Sequence, residues 1–182
     1  MKWLLSVLLA SLVTPAWAQP WKVDYARSEI RFVIKQMNVP VEGGFKRFNV
    51  TADFDVAKPE QGMFRVEVDV AGIDTGSDEG DVEARRPAWF DAARHPKAVF
   101  VSKNIRRDGP GRFVMTGDLT VKGRTRPLSV PLVLTAQRPG GWLASGRFAL
   151  KRTDFDIGGG EWADPSVVAN DIDGRFKLLL MP

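Results

Sequence analysis

The sequence predicts an all-β protein, a closed antiparallel barrel or a sandwich of about eight strands with one short helical insertion. Three observations lead there. Apolar and polar residues alternate with a period of two through most of the chain, as they do when one face of a strand is dry and the other wet. Clusters such as Lys58–Gly62, Arg107–Gly111, Lys122–Arg124 and Pro139–Gly141 punctuate those runs at hairpin spacing. The alternation stops once, between Ile73 and Pro96.

Trp21–Asp24 reads as a first short strand, and Ile30, Phe32 and Ile34 mark a second. Asn38–Gly44, with Pro40 and Gly43-Gly44, reads as a loop. Phe48, Val50, Ala52 and Phe54 alternate with polar residues, and so do Phe64, Val66, Val68 and Val70. In the exceptional segment, Ser77 has the chemistry of an N-cap, since its hydroxyl can accept from a free first-turn amide. Asp78, Glu79 and Asp81 suit the positive end of a helix dipole, and Pro87 ends the run, so a helix is predicted over Ser77–Arg86. Trp89-Phe90 follows as an apolar plug, then a turn at His95-Pro96. A single helical piece in an all-β chain suits a cover over an open barrel end.

Beyond it, Ala98–Ser102 and Phe113–Val121 are strands. Leu128–Leu134 is another, but Pro131 inside it lacks a ladder donor, which predicts an edge, bulge or gap there. Trp142–Leu150 comes next, then a glycine-rich loop from Gly158 to Pro165 carrying Trp162. Ile172–Leu180 closes the chain as a last strand.

Met1-Lys2, the apolar run Trp3–Val13 and Ala16-Trp17-Ala18 form a secretory signal peptide, too short in its apolar part to span a bilayer. Residues 1–18 are therefore expected to be removed, leaving one secreted domain over 19–182 without a transmembrane anchor. There is no cysteine, which excludes disulfides, thiol catalysis and thiolate metal sites. The formal charge of +4 is spread along the chain, with no stripe suited to nucleic acid.

Few residues suit catalysis. His95 is the only histidine and sits beside a proline in a turn, so histidine-based nucleophile activation has no partner set. Asp154 and Asp156 form a carboxylate pair two residues apart, but Lys151-Arg152 offers them ordinary surface ion pairs, and Asp171 with Asp173 reads the same way. The acidic residues 78–83 do not match the spacing of a calcium loop. No enzyme activity, metal site or cofactor is expected. The inward faces are rich in Phe, Val, Ile and Leu, and an eight-stranded barrel can fill with such side chains or hold one apolar ligand. Small inward residues (Ala52, Ala98, Gly117, Gly146, Gly174) and the aromatic pair at 89–90 favour a cavity.

The chain resembles the YceI-like, polyisoprenoid-binding family. The resemblance rests on Trp21-Lys22-Val23-Asp24 with Ser28-Glu29-Ile30-Arg31-Phe32, Gly44-Phe45-Lys46-Arg47-Phe48, Ile73-Asp74-Thr75, and Trp89-Phe90-Asp91 with His95-Pro96 and Phe100-Val101-Ser102. It continues through Gly117-Asp118-Leu119-Thr120-Val121-Lys122-Gly123 and Arg152-Thr153-Asp154-Phe155-Asp156-Ile157-Gly158. These pieces keep the family's order over essentially all of residues 19–182. The chain departs at Val82–Ala88, where relatives carry a histidine-leucine run, at Asp156, where they carry glycine, and in the loop 158–163.

The resemblance implies a closed lipocalin-like barrel with an amphiphile inside: an isoprenoid, a quinone, or a fatty acid or amide. It also implies a periplasmic carrier and a possible homodimer. By position, the tail would be lined by Phe32, Ile34, Phe48, Phe54, Val66, Val68, Phe100, Phe113, Met115, Leu119, Leu132, Phe148 and Phe176. Trp89, Phe90 and Trp162 would guard the mouth, and Arg85, Arg86 and Arg152 would meet an anionic head. The rival expectation is a stress or interaction protein with a filled core and no ligand.

Overall fold

The computed structural model describes residues 21–182, so the predicted signal peptide, residues 1–18, lies outside the described residues. Ten strands and one α-helix run in the order β1 (Lys22–Gln36), β2 (Val39–Phe45), β3 (Phe48–Asp53), β4 (Met63–Asp69), β5 (Ile73–Asp74), α1 (Asp78–Ala84), β6 (Lys97–Arg107), β7 (Arg112–Val121), β8 (Arg124–Gln137), β9 (Gly141–Lys151) and β10 (Val168–Met181). All ten join one antiparallel sheet in the order β3-β4-β6-β7-β8-β9-β10-β1-β2-β5. The sheet curls into a half-barrel.

Full closure by a ladder, expected from the sequence, is not what the described residues form. The end strand β3 meets the start of β1 through one backbone bridge, Trp21 to Ala52, in which the Trp21 amide donates to the Ala52 carbonyl at 2.9 Å. Side chains add to the seam. Trp21 Nε1 donates to the Phe54 carbonyl at 2.9 Å, and the Tyr25 hydroxyl donates to Asn49 Oδ1 at 2.8 Å. The reason is competition for an edge: β2 pairs with β1 along Arg31–Gln36 and leaves β3 only its beginning.

Two further expectations are corrected. The first two predicted strands are the single strand β1, interrupted between Asp24 and Glu29. Ser28 spans the irregularity: its Oγ donates to the Asp24 carbonyl at 2.6 Å and accepts from the Leu179 amide at 2.9 Å. The predicted loop at 38–44 is strand β2. Met37 and Asn38 supply the two left-handed residues of a tight hairpin turn. Gly43, which reads as loop chemistry, is a strand residue over which the Phe32 ring lies; a Cβ there would overlap the ring.

Pro131 behaves as its chemistry demands. It pairs with Val114 of β7 on one side, but the β8–β9 ladder runs only from Val133 to Gln137. Beyond that point the β8–β9 pairing does not continue, and the 3₁₀ turn Arg152–Phe155 packs against both strands.

One end of the half-barrel is filled. Phe54 meets Phe64 and Phe113 with ring centroids 5.6 and 5.3 Å apart, and Ile105, Leu132 and Leu180 complete a dry centre. At the β6 irregularity between Ser102 and Asn104, the Phe64 amide donates to Ser102 Oγ at 2.8 Å, so the bulge leaves no orphan donor.

Arg152 is 1% exposed, the largest side chain so thoroughly buried. Its guanidinium meets backbone carbonyls alone. Nε donates to Ala169 O at 3.1 Å, Nη1 to Ile157 O and Gly158 O at 3.0 and 2.6 Å, and Nη2 to Trp162 O and Val168 O at 2.8 Å each. Burial lowers its pKa from the usual arginine value. One side chain thereby ties the loop 157–163 to the start of β10. Arg152→Met should cost about 3 kcal/mol or more in urea unfolding, because several buried carbonyls lose their donor at about 1–3 kcal/mol each. A loss under about 1 kcal/mol would show that the loop holds itself.

Candidate functional site

The other end of the half-barrel is open inside. A cavity of about 880 Å³ lies between the sheet, α1 and the loop after the Arg152 turn. Its wall begins with period-two faces: Ile30, Phe32 and Ile34 on β1, Phe148 and Leu150 on β9, Ile172 and Gly174 on β10. Leu119 and Val121 of β7 continue it, and Phe155 and Ile157 pack beside them to complete it.

Space exists there because rings lie along the wall rather than across it. Gly174 pairs with Phe32 on one side and Phe148 on the other. A Cβ on Gly174 would overlap the Phe148 ring, as one on Gly43 would overlap Phe32. Glycine lets each ring fold down onto the neighbouring strand, so two bulky residues take little of the interior. Ala98 keeps a third stretch of wall shallow.

The cover is α1 together with the segment 85–90 and the Trp162 loop. Ser77 Oγ accepts from the Gly80 amide at 3.0 Å, the predicted N-cap. Asp81, buried, accepts from the Thr75 amide and hydroxyl at 2.7 and 2.8 Å, which fixes the helix to the end of β5. At the base of this joint Lys46 reaches Asp74 at 3.1 Å and holds its carboxyl below the usual carboxylate range, with the Gly76 amide adding to the effect. The Phe90 amide donates to Ala84 O at 3.0 Å, and the Gly158 amide to Ala88 O at 2.8 Å. Trp89 and Trp162 meet at a 56° tilt with ring centroids 5.7 Å apart, and Trp162 Nε1 donates to Glu83 Oε1 at 3.1 Å. Phe45 links cover to wall, 6.2 Å from Phe90 and 5.7 Å from Phe32. The rim carries both signs: Asp78, Glu79 and Glu83 border the cavity with Arg31 and with Arg86, which is bound to Glu83 at 2.7 Å.

The predicted site residues divide. Phe32, Ile34, Val68, Leu119 and Phe148 line the cavity, and Trp89, Phe90 and Trp162 stand around it. Phe54, Phe100, Phe113, Met115 and Leu132 lie in the filled core instead, with Phe48, Val66 and Phe176 packed against it. Alternation identifies the inward face of a strand, but not the height at which packing stops. Of the predicted head-group arginines, Arg86 borders the cavity with its charge matched by Glu83, and Arg85 stands 3.8 Å from Asp81, away from the lining. Arg152 is committed to the carbonyls of its own loop. Ile30, Leu150 and Ile172 line the cavity in phase with predicted residues, so extending the same alternation finds them. Phe155 and Ile157, in a 3₁₀ turn and loop, carry no periodic signal.

The groups weighed for catalysis are elsewhere. His95 packs on the β7–β8 turn, within 3.0 Å of where a Gly123 Cβ would stand. Asp154 is exposed, and Asp156 faces Lys122 and Arg124 at 3.8 and 3.6 Å. Among the described residues no helix is long and apolar enough to cross a membrane.

The model of the YceI-like domain matches residues 21–179. Protein YceI of Escherichia coli O6:H1 is 30% identical over 169 residues, covering 86% of this chain and 87% of that protein. A UPF0312 protein of Pseudomonas savastanoi pv. phaseolicola is 32% identical over 142 residues, covering 75% and 72%. Among solved structures, Burkholderia cenocepacia BcnA superposes with a TM-score of 0.85 at 39% identity, over 88% of this chain and 100% of that one. A polyisoprenoid binding domain from Saccharophagus degradans, implicated in plant cell wall breakdown, shares the fold at TM-score 0.68 and 14% identity, over 88% and 97%. With a family match across almost every described residue, and with the same half-barrel in its neighbours, the chain belongs to the YceI-like family.

Proposed function

We propose that this protein is a secreted, periplasmic carrier that holds the apolar tail of an amphiphile in the cavity beneath α1, and that it is not an enzyme. The single observation that supports this reading is the cavity itself: about 880 Å³ with walls of Ile, Phe, Leu and Val, roofed by two tryptophans. A folded chain rarely leaves such a volume empty, because apolar walls without partner atoms forgo dispersion contacts. A hydrocarbon tail restores them, at about 0.8 kcal/mol per CH₂ taken from water. The Saccharophagus domain, a polyisoprenoid binder on the same fold, points to the same tail chemistry.

The rim carries both signs, with Asp78, Glu79 and Glu83 beside Arg31 and Arg86, so its charge does not select between a neutral and an anionic head. The arginines expected to bind an anion are matched or committed elsewhere.

Native mass spectrometry of the protein purified without detergent, followed by solvent extraction, should show a discrete bound lipid-like mass. Leu150→Asp, which puts a charge into the wall, should abolish that mass while circular dichroism stays unchanged. A bare protein mass that takes up no added polyprenol, quinone or fatty amide would end the carrier reading. Asp154→Asn should leave tail binding within about twofold, because Asp154 lies outside the cavity; a tenfold loss, about 1.4 kcal/mol, would place it in the site after all.

A further inference from the structure

Resting on the carrier reading, we infer that the polar head of the amphiphile sits in a cleft at the seam between β1 and β3, a second compartment joined to the cavity beside Phe45. The sheet leaves a slit there. The β1–β2 ladder ends at the pair Arg31–Gly44, and β3 meets β1 at the Trp21–Ala52 bridge. Between these two points, among the described residues, no backbone ladder joins β1 to β3. Side chains span the interval instead: the Tyr25 hydroxyl accepts from the Val50 amide at 3.2 Å, and the Tyr25 ring meets Phe48 edge-on at 5.6 Å.

A cleft of about 630 Å³ lies in the slit. Tyr25, Ser28 and Glu29 of β1 border it on one side and Lys46, Arg47 and Phe48 on the other, while Asp74 and Gly76 join it from β5 and the turn after it. Its charged groups are of both signs, Glu29, Glu42 and Asp74 with Arg31, Lys46 and Arg47, so it offers acceptors as well as donors. Ile30, Arg31 and Phe45 line the cleft and the cavity alike, so one layer of residues stands between a dry compartment and a wet one. Ile30 and Phe45 are half-buried. With no ladder to break, that layer opens by a change of side-chain rotamer, a fast motion that leaves the backbone hydrogen bonds of the sheet intact.

Arg31 stands where a tail would give way to a head, and it is the least engaged cation of the cleft. Lys46 reaches Asp74 at 3.1 Å and Arg47 reaches Asp69 at 2.7 Å. Arg31 is 3.9 Å from Glu42, whose nearer partner is Arg175 at 2.8 Å. Its guanidinium therefore has donors to give to a head oxygen. The ligand class is an amphiphile whose head is recognised by hydrogen bonds, from Arg31 first, and not by net charge.

The chain has no cysteine, so one engineered thiol carries a fluorophore at one place. Arg47→Cys puts it at the cleft, and Val82→Cys puts it on the exposed side of α1 where that helix borders the cavity. The probe is a long-chain fatty ester with a nitroxide on its head, which quenches at short range. Bound probe should quench the label at 47 and leave the label at 82 bright. Quenching at 82 that equals or exceeds that at 47 overturns the head site while the carrier reading stands. Arg31→Gln should weaken the probe's binding about fivefold, the scale of one lost hydrogen bond, with circular dichroism unchanged; unaltered affinity overturns its role as the donor. Failure of the probe to bind the unlabelled protein, read by displacement of a fluorescent fatty acid, overturns the carrier reading and the head site with it.

Discussion

The open end of the molecule depends on the guanidinium of Arg152. Where the β8–β9 pairing stops short of Pro131, the chain packs its own turn against both strands. Backbone hydrogen bonds shape the turn and the loop after it, and Arg152 adds side-chain donors to their carbonyls in a dry site, where a charge-assisted hydrogen bond is strong and an unmet carbonyl is costly. Phe155, Ile157 and Trp162 owe their positions to it. So does the cover, because the Gly158 amide holds Ala88 and Trp162 holds Glu83. A cation that serves only carbonyls is a structural tie, although its place in the sequence, beside Lys151 at a strand end, looks like solvent-facing charge.

A second device divides the interior. Cross-strand pairs of phenylalanine and glycine let rings lie down: Phe32 on Gly43, Phe148 near Gly174, Phe176 on Gly146. At the filled end the rings of Phe54, Phe64 and Phe113 instead meet at an angle and close the space. The same residue type thus makes a hollow or a plug according to what stands opposite. Stability comes from the packed half, and room for a guest from the other, which separates the two demands along the strand axis.

That division explains what was legible in the sequence and what was not. The class of fold followed from alternation and turn residues, and Ser77 announced the start of α1. Trp89 and Phe90 stand out in the sequence because they interrupt the alternation, Trp162 because it sits in a glycine-rich loop, and all three line the cavity. Strand β2 was missed because Pro40 and Gly43-Gly44 are loop residues by composition; only the ring of Phe32, fixed by tertiary packing, gives Gly43 its reason to be in a strand. The expected tail-lining residues fall on inward faces but at two depths, some along the cavity and some in the packed core. Phe113 and Phe148 look equivalent in a period-two pattern, yet one is sealed in the core and the other borders the hollow. Nothing local encodes that difference, since it depends on which strands register Gly against Phe.

The single bridge at the seam between Trp21 and Ala52 has a bearing on association. A half-barrel keeps two free sheet margins that a sealed cylinder would lack, and a free margin invites a strand from another molecule. This chain leaves little to copy. One margin ends in β5, two residues long, with Asp74 bound to Lys46 and the helix starting soon after. The other, β3, is capped at its far end by Trp21 and shadowed by the Tyr25 hydroxyl. Brevity on one side and a clasp on the other give a cysteine-free chain its defence against strand-to-strand polymerisation.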